Sequence, residues 1–156
     1  MLPENTVAKI ELVLPRESLV LNAGQAVRGV VFFRQGASAF PMEGWHDFAA
    51  TLLVGWLSAL QKLASGEETR TELFFMEGPY QVDLEMAAAT AVTVTCVDRF
   101  MPEVRRQSVQ DFPALADAVC EAGSAVLDWT ASIGLRNRET GELRALLAGL
   151  RAQTGG

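Results

Sequence analysis

The segment between residues 44 and 86 constrains the fold of this chain more than any other. Its first half carries apolar residues at the three-and-four spacing of a helix, which predicts a long helix over 45–64. After a turn at 77–79, apolar and polar residues alternate, which predicts a strand with one buried face. A helix followed at once by such a strand predicts an α+β domain. In the strand, Tyr80, Val82, Leu84 and Met86 alternate with Gln81, Asp83 and Glu85.

Further strands are predicted on both sides of this segment, and two more helices follow it. The strand patterns run over residues 7–14, 18–21, 27–34, 73–76 and 92–97. Residues 36–41 are predicted to form a loop and residues 99–107 an irregular, locally basic stretch. The second helix is expected to begin after the N-cap candidate Asp111 and to end at Gly134. The third is expected to begin at Asn137 or Thr140.

These patterns predict one α+β domain over residues 1–153 with a flexible tail over 154–156. We expect a mainly antiparallel sheet of about five strands, because the strand patterns cluster instead of alternating regularly with helices. The long helix would be inserted after the first strands. The two C-terminal helices would pack on the sheet.

The chain is acidic, with 13 basic and 19 acidic residues and a formal net charge of −6. Phosphate binding requires a basic surface, so nucleic acid is not an expected partner. An acidic surface is suited instead to a basic protein, whose approach it steers. The longest apolar run, from Phe48 to Leu60, is too short to span a bilayer. We therefore expect no membrane partner and a cytoplasmic location.

Residue types that carry catalysis are sparse in this chain. His46 is the only histidine, and neither a nucleophile elbow nor a phosphate-binding glycine motif occurs. Cys96 and Cys120 are the only cysteines, and with one histidine they do not form a zinc pattern. Both lie among apolar neighbours and are expected to be free, buried thiols. The sequence thus favours a protein without catalytic residues, cofactor or metal, which acts by binding.

Five residues are the candidates for contact with a partner. Glu77 lies at the tip of the 77–79 turn, and Asp83 and Glu85 share one face of the strand that follows. Trp45 and Tyr80 are aromatic residues of the kind that anchor protein interfaces. Each candidate has a structural alternative, because acidic side chains also occupy solvated sheet faces and aromatic side chains also fill cores.

Three motifs resemble those of small acidic bacterial proteins associated with immunity in polymorphic-toxin or contact-dependent inhibition systems. The motifs are Trp45-x-Asp47-Phe48, Gly55-Trp56-Leu57 and Phe75-Met76-Glu77-Gly78-Pro79-Tyr80. The chain departs from that family's pattern at Glu77, where Asp is usual, and at Leu57, where a second Trp is usual. The resemblance implies a protein that binds a cognate toxin domain, often a basic nuclease, and blocks its active site. Such binding would weaken with salt and with Glu77→Lys.

Two other functions follow from the same patterns. A small-molecule-binding protein or an enzyme would use an apolar pocket between the helices and the sheet, with polar groups near Tyr80 or Arg99. A homodimeric scaffold protein would pair through an exposed strand edge or through the last helix.

Overall fold

The computed structural model describes residues 8–154 and has an α+β architecture, as the sequence predicts. Within this range the chain forms ten strands and three α-helices, and all strand pairs are antiparallel. The strands are β1 (Ile10–Val13), β2 (Val20–Leu21), β3 (Val27–Val30), β4 (Phe32–Gln35), β5 (Ser38–Phe40), β6 (His46–Asp47), β7 (Arg70–Phe74), β8 (Tyr80–Met86), β9 (Ala91–Asp98) and β10 (Arg105–Asp111). The helices are α1 (Ala49–Ser65), α2 (Phe112–Ser132) and α3 (Arg138–Gln153).

The first six strands form two three-stranded sheets, whose central strands β4 and β3 follow each other in the chain. Strands β3 and β4 are separated only by Val31, whose N–H donates to the carbonyl of Trp45 at 2.8 Å. Strands β1 and β5 flank β4, whereas β2 and β6 flank β3. A 3-10 turn at Arg16–Ser18 lies between β1 and β2. Each of the three chain segments β1–β2, β3–β4 and β5–β6 therefore contributes one strand to each sheet, with an interruption between its two strands.

The last four strands form one sheet in the order β10–β9–β8–β7. Strand β8 has the bounds that the alternating pattern predicts, Tyr80–Met86. Its register pairs Val82 with Cys96 and Leu84 with Val94. These four side chains are buried and share one face, which we call the inner face. The inner face belongs to the same apolar core as the buried sides of the helices.

The helix ends follow from local sequence signals. Helix α1 ends at Gly66, which adopts a left-handed φ of 80° that glycine accommodates without strain. Helix α2 begins at Asp111, whose carboxylate accepts a hydrogen bond from the N–H of Ala114 at 3.0 Å. Helix α3 begins with a capping box between Asn137 and Thr140. The predicted N-cap Asp111 is thereby confirmed, and of the two predicted starts of the third helix, Asn137 and Thr140, Asn137 is its N-cap.

An aromatic cluster joins α1 to both groups of strands. Trp56 of α1 donates its indole N–H to the carbonyl of Phe74 at 2.9 Å and stacks on Phe33 with ring centroids 5.3 Å apart. Phe75 meets both of these rings edge to face. Paired aromatic rings contribute about 0.5–1.5 kcal/mol each beyond the burial of their area. The cluster therefore fixes the position of α1 between the sheets.

The predicted single sheet of about five strands is wrong, because the strands form sheets of three, three and four strands. The predicted helix placement also differs. Helix α1 begins at Ala49 and not near Trp45, since Trp45 and the strand β6 hydrogen-bond with Val31 and β3 instead. Helix α3 packs chiefly on α1 and α2, not on a sheet.

Besides β6, which lies within the predicted helix, two strands lie where none was predicted. Strand β5 falls within the predicted loop at 36–41, and β10 overlaps the predicted irregular stretch at 99–107. Neither sequence shows the apolar alternation that signals a strand. The predicted strand start at Val7 and the tail residues 155–156 lie outside the described residues. None of the helices within 8–154 has the length and apolar character needed to cross a bilayer.

Candidate binding surface

The surface of the four-stranded sheet opposite its inner face carries polar and charged side chains in three cross-strand rows. We call this surface the outer face. Alternation of side chains along each strand assigns its members from the register. They are Arg70, Glu72 and Phe74 of β7, Gln81, Asp83 and Glu85 of β8, Thr93, Thr95 and Val97 of β9, and Arg105, Gln107 and Val109 of β10.

A polar groove of about 270 Å³ lies across the middle of the outer face. On one side of it Glu72 and Asp83 are register partners, so two carboxylates of like charge stand directly opposite each other. Such pairs destabilise a sheet. Glu85 is paired with Arg70, its register partner, at 2.9 Å. The outer face therefore holds one ion pair beside two acidic residues that the register places directly opposite each other.

Hydrogen bonds orient the side chains on the floor of the groove. Gln81 donates to a carboxylate oxygen of Asp83 at 2.6 Å, and Gln107 donates to the hydroxyl of Thr95 at 3.0 Å. Glu85, through its hydrogen bond and its charge, raises the pKa of Arg70 above its ordinary value, with smaller contributions from Glu72 and Asp83. The lining of the groove thus carries three carboxylates, those of Glu72, Asp83 and Glu85, against the guanidinium groups of Arg70 and Arg105.

At one end of the outer face the surface becomes apolar. Phe74 is 42% exposed, and the guanidinium of Arg99 lies 5.8 Å from the centroid of its ring. Arg99 also donates to the side chain of Gln81 at 3.3 Å. In the turn between β9 and β10, Phe100 is 83% exposed, and Met101 and Val104 are exposed too. We call this apolar end the turn cluster and define it by Phe74, Arg99, Phe100, Met101 and Val104.

The five candidate contact residues lie at three places in the structure. Asp83 and Glu85 line the groove on the outer face. Trp45 and Tyr80 are half-buried and pack edge to face with ring centroids 5.2 Å apart, and both contact the core. Glu77 lies at the exposed turn between β7 and β8.

Asp47 ties the resemblance motifs together. Its carboxylate is fully buried and accepts hydrogen bonds from the indole N–H of Trp45 at 3.0 Å and from the N–H of Phe48 at 2.7 Å. It also accepts from the N–H of Glu77, 30 residues along the chain, at 3.1 Å. The first and third motifs therefore meet at one buried carboxylate, whose hydrogen bonds offset the cost of its burial.

The side chain of Glu77 points away from this hub towards an arginine. It lies 3.4 Å from the guanidinium of Arg28, which sits 4.3 Å from the centroid of the Phe48 ring. Because the Glu77 side chain is 46% exposed, this ion pair is screened by solvent. Glu77 is thus partly engaged within the fold and still open to a partner.

Sequence reasoning missed the members of this surface that β7 and β10 supply. In β7, Arg70, Glu72 and Phe74 alternate with inward-facing residues. This alternation extends over only five residues, which is too short to predict the strand from its start. The β10 residues had no signal, since Val109 is the only strongly apolar residue in that strand. The exposed Phe100 and Met101 lie in the stretch at 99–107, which was predicted to be irregular and locally basic and gave no sign of an apolar surface.

The space beside Tyr80 is filled by aromatic side chains. The rings of Phe40 and Trp45 both meet it edge to face, at centroid distances of 5.7 Å and 5.2 Å.

Among residues 8–154, no three His, Cys, Asp or Glu side chains are grouped so that they could hold a metal ion. Burial raises the pKa of the Cys96 thiol to about 11, against a smaller lowering by Arg106. Burial also raises the pKa of Cys120.

Comparisons of this chain with protein-family models, with curated proteins and with solved structures find no match.

Proposed function

We propose that this chain is a non-enzymatic, immunity-type protein that binds a basic toxin domain through the outer face and blocks it. The resemblance of its motifs supplies the class, and the outer face supplies the binding surface. The observation that carries the proposal is the register pairing of Glu72 with Asp83. Two like charges directly opposite each other lower the stability of a sheet, and a cost in stability is common where a residue serves function.

A basic partner would relieve that repulsion. A lysine or arginine side chain placed between Glu72 and Asp83 would form charge-assisted hydrogen bonds to both. The net charge of −6 would attract such a partner at long range and raise its association rate. Because this attraction is screened by ions, the complex would weaken as salt is raised.

The turn cluster would supply the apolar part of the interface. Interface hot spots are enriched in aromatic residues and arginine and are surrounded by contacts that exclude water. Phe74 with Arg99 over its ring has that composition, and the exposed Phe100 extends it. We expect these side chains to slow dissociation, while the acidic groove speeds association. Glu77 would lie at the rim of the interface.

The proposal is tested by capture of the partner with charge-matched variants. The tagged chain is incubated with an extract of the source cells, and Asp83→Lys/Glu85→Lys is compared with Glu121→Lys/Asp128→Lys. The second pair lies on exposed positions of α2 and changes the net charge by the same amount. We expect the first pair to lose at least about tenfold of the captured partner and the second to retain it, since residues 121 and 128 lie on α2 and not on the outer face.

Identifying the captured partner then tests whether the chain is an immunity-type protein. A toxin domain with a basic surface, and growth rescue when the chain is co-expressed with it, is the expected result. Equal capture by the two double variants would contradict the use of the outer face. Capture that does not fall in about 0.5 M salt would contradict the electrostatic part of the proposal.

A further inference from the structure

Strand β10 is an edge of the four-stranded sheet in the described part of the chain. The N–H of Phe112 donates to the carbonyl of Thr90 at 2.8 Å, which continues the ladder between β10 and β9. Backbone groups in an antiparallel ladder point alternately towards one neighbour and the other. The N–H and C=O groups of Gln107 and Val109 therefore point away from β9, towards the open side.

Part of this edge is open to solvent, whereas Gln110 is buried, accepts a hydrogen bond from the N–H of Ile10 at 3.1 Å and donates one to the carbonyl of Ala8 at 3.2 Å. Arg105, Gln107 and Val109 are exposed, and the Val109 side chain is exposed by 56%. A partly exposed strand edge of seven residues with outward backbone groups is a template for pairing with another strand.

The charges of β10 are self-complementary when the strand is read against its own copy. The strand begins with Arg105, ends with Asp111 and has Ser108 at its centre. In an antiparallel pair centred on Ser108, Arg105 of each copy stands opposite Asp111 of the other. The same register places Gln107 opposite Val109, so the residues with outward backbone groups face each other. Full overlap of the strand and opposite charges at both ends thus coincide in one register.

We propose that two copies of this chain pair through β10 in this register. The two-fold axis would pass through the paired Ser108 positions and would join the two four-stranded sheets into one continuous sheet. Directly opposite residues of an antiparallel pair point to the same side, so both outer faces would lie on one surface. Each Asp111 would keep one carboxylate oxygen on Ala114 and offer the other to the partner's arginine.

The first test is the mass of the purified chain in solution. Sedimentation equilibrium from about 1 to about 200 µM should show a concentration-dependent rise from 16.9 kDa towards twice that value. A single-chain mass at every concentration would overturn the proposal.

The second test removes an outward donor without touching the chain's own ladder. Val109→Pro deletes an N–H that points to the open side, and proline is tolerated on that side of an edge strand. The matched control Val109→Thr keeps the N–H and the branched shape. We expect the dimer of the proline variant to be at least about tenfold weaker and that of the threonine variant to be nearly unchanged. Circular dichroism verifies that both variants are folded.

A charge test fixes the register. Arg105→Glu would place a carboxylate opposite Asp111 and should weaken the dimer about tenfold at low salt, since opposed like charges destabilise a sheet. Adding Asp111→Asn should restore most of the affinity, because asparagine retains the N-cap of α2. A dimer that ignores both Val109→Pro and Arg105→Glu would overturn the proposal. The proposal would also be overturned if the chain were monomeric and Val109→Pro abolished only the capture of another protein. In that case β10 would be the docking edge for a strand of that protein.

Discussion

The carboxylate of Asp47 accepts a hydrogen bond from the backbone N–H of Glu77 at 3.1 Å, across 30 residues of sequence. This contact fastens the turn between β7 and β8 to the start of α1. The turn and the strands that leave it define one end of the outer face. The geometry of the proposed binding surface therefore depends on a buried residue that no partner would touch.

Removal of the Asp47 carboxylate should destabilise the fold. Asp47→Ala leaves the N–H groups of Trp45, Phe48 and Glu77 without their side-chain acceptor. We expect the free energy of unfolding to fall by about 2–4 kcal/mol, because each buried unpaired donor costs about 1–3 kcal/mol. Urea denaturation measures the change. Asp117→Asn on an exposed position of α2 is the control, and an equal effect of the two substitutions would contradict the role of Asp47.

Gly78→Ala should destabilise the turn through two separable effects. Its φ of 71° disfavours any side chain, and an added Cβ would lie 2.9 Å from the Tyr80 ring and 3.3 Å from the Trp45 ring. Gly44 has a similar φ of 73° but open space around it, so Gly44→Ala isolates the backbone effect. We expect Gly44→Ala to cost about 1 kcal/mol and Gly78→Ala to cost at least about 1 kcal/mol more. Equal melting temperatures of the two variants would show that the rings do not confine the turn.

Neutralising Glu72 should stabilise the chain and weaken its complex. Glu72→Gln removes the repulsion with Asp83 and should raise the free energy of unfolding by about 0.2–1 kcal/mol. The same change should reduce partner capture, because a cation would lose one of its two carboxylates. Glu121→Gln, on α2, is expected to change neither quantity. A Glu72→Gln variant that is less stable than the unaltered chain would refute the opposition of the two carboxylates.

The two thiols should react slowly while the chain is folded. Burial raises the pKa of Cys96 to about 11 and also raises that of Cys120, so the reactive thiolate is scarce at pH 8. The thiolate fraction of Cys96 should increase about tenfold per pH unit below its pKa. Labelling with a disulfide reagent, followed in native buffer and in urea, checks this. Rapid labelling of the native chain would place the cysteines at the surface instead of in the core.

The elements that sequence could predict are those whose pattern reports burial. Strand β8 has its predicted bounds because its alternation is complete, and α2 begins at Asp111 because an N-cap acts locally. Strand β10 escaped prediction because most of its residues are polar, and its pairing with β9 is a non-local property. The start of α1 was misplaced because Trp45 has helical spacing, whereas tertiary hydrogen bonding draws it towards Val31.

The candidate site also has a part that the sequence predicts and a part that it does not. Alternation alone placed Asp83 and Glu85 on one face, where they line the groove. The opposition of Glu72 and Asp83 depends on the register between two strands, which the sequence of either strand does not specify. The burial of Asp47 was missed for a related reason, since its hydrogen-bond donor at Glu77 is 30 residues away.

Hydrogen–deuterium exchange on the captured complex tests the outer face most directly. Exchange is compared peptide by peptide between the free chain and the complex. We expect binding to slow exchange in the turns at 75–79 and 99–104 and in β7, while the exposed face of α2 and the end of α3 keep their free rates. Protection confined to α2 and α3, with 70–85 and 99–104 unchanged, would contradict it.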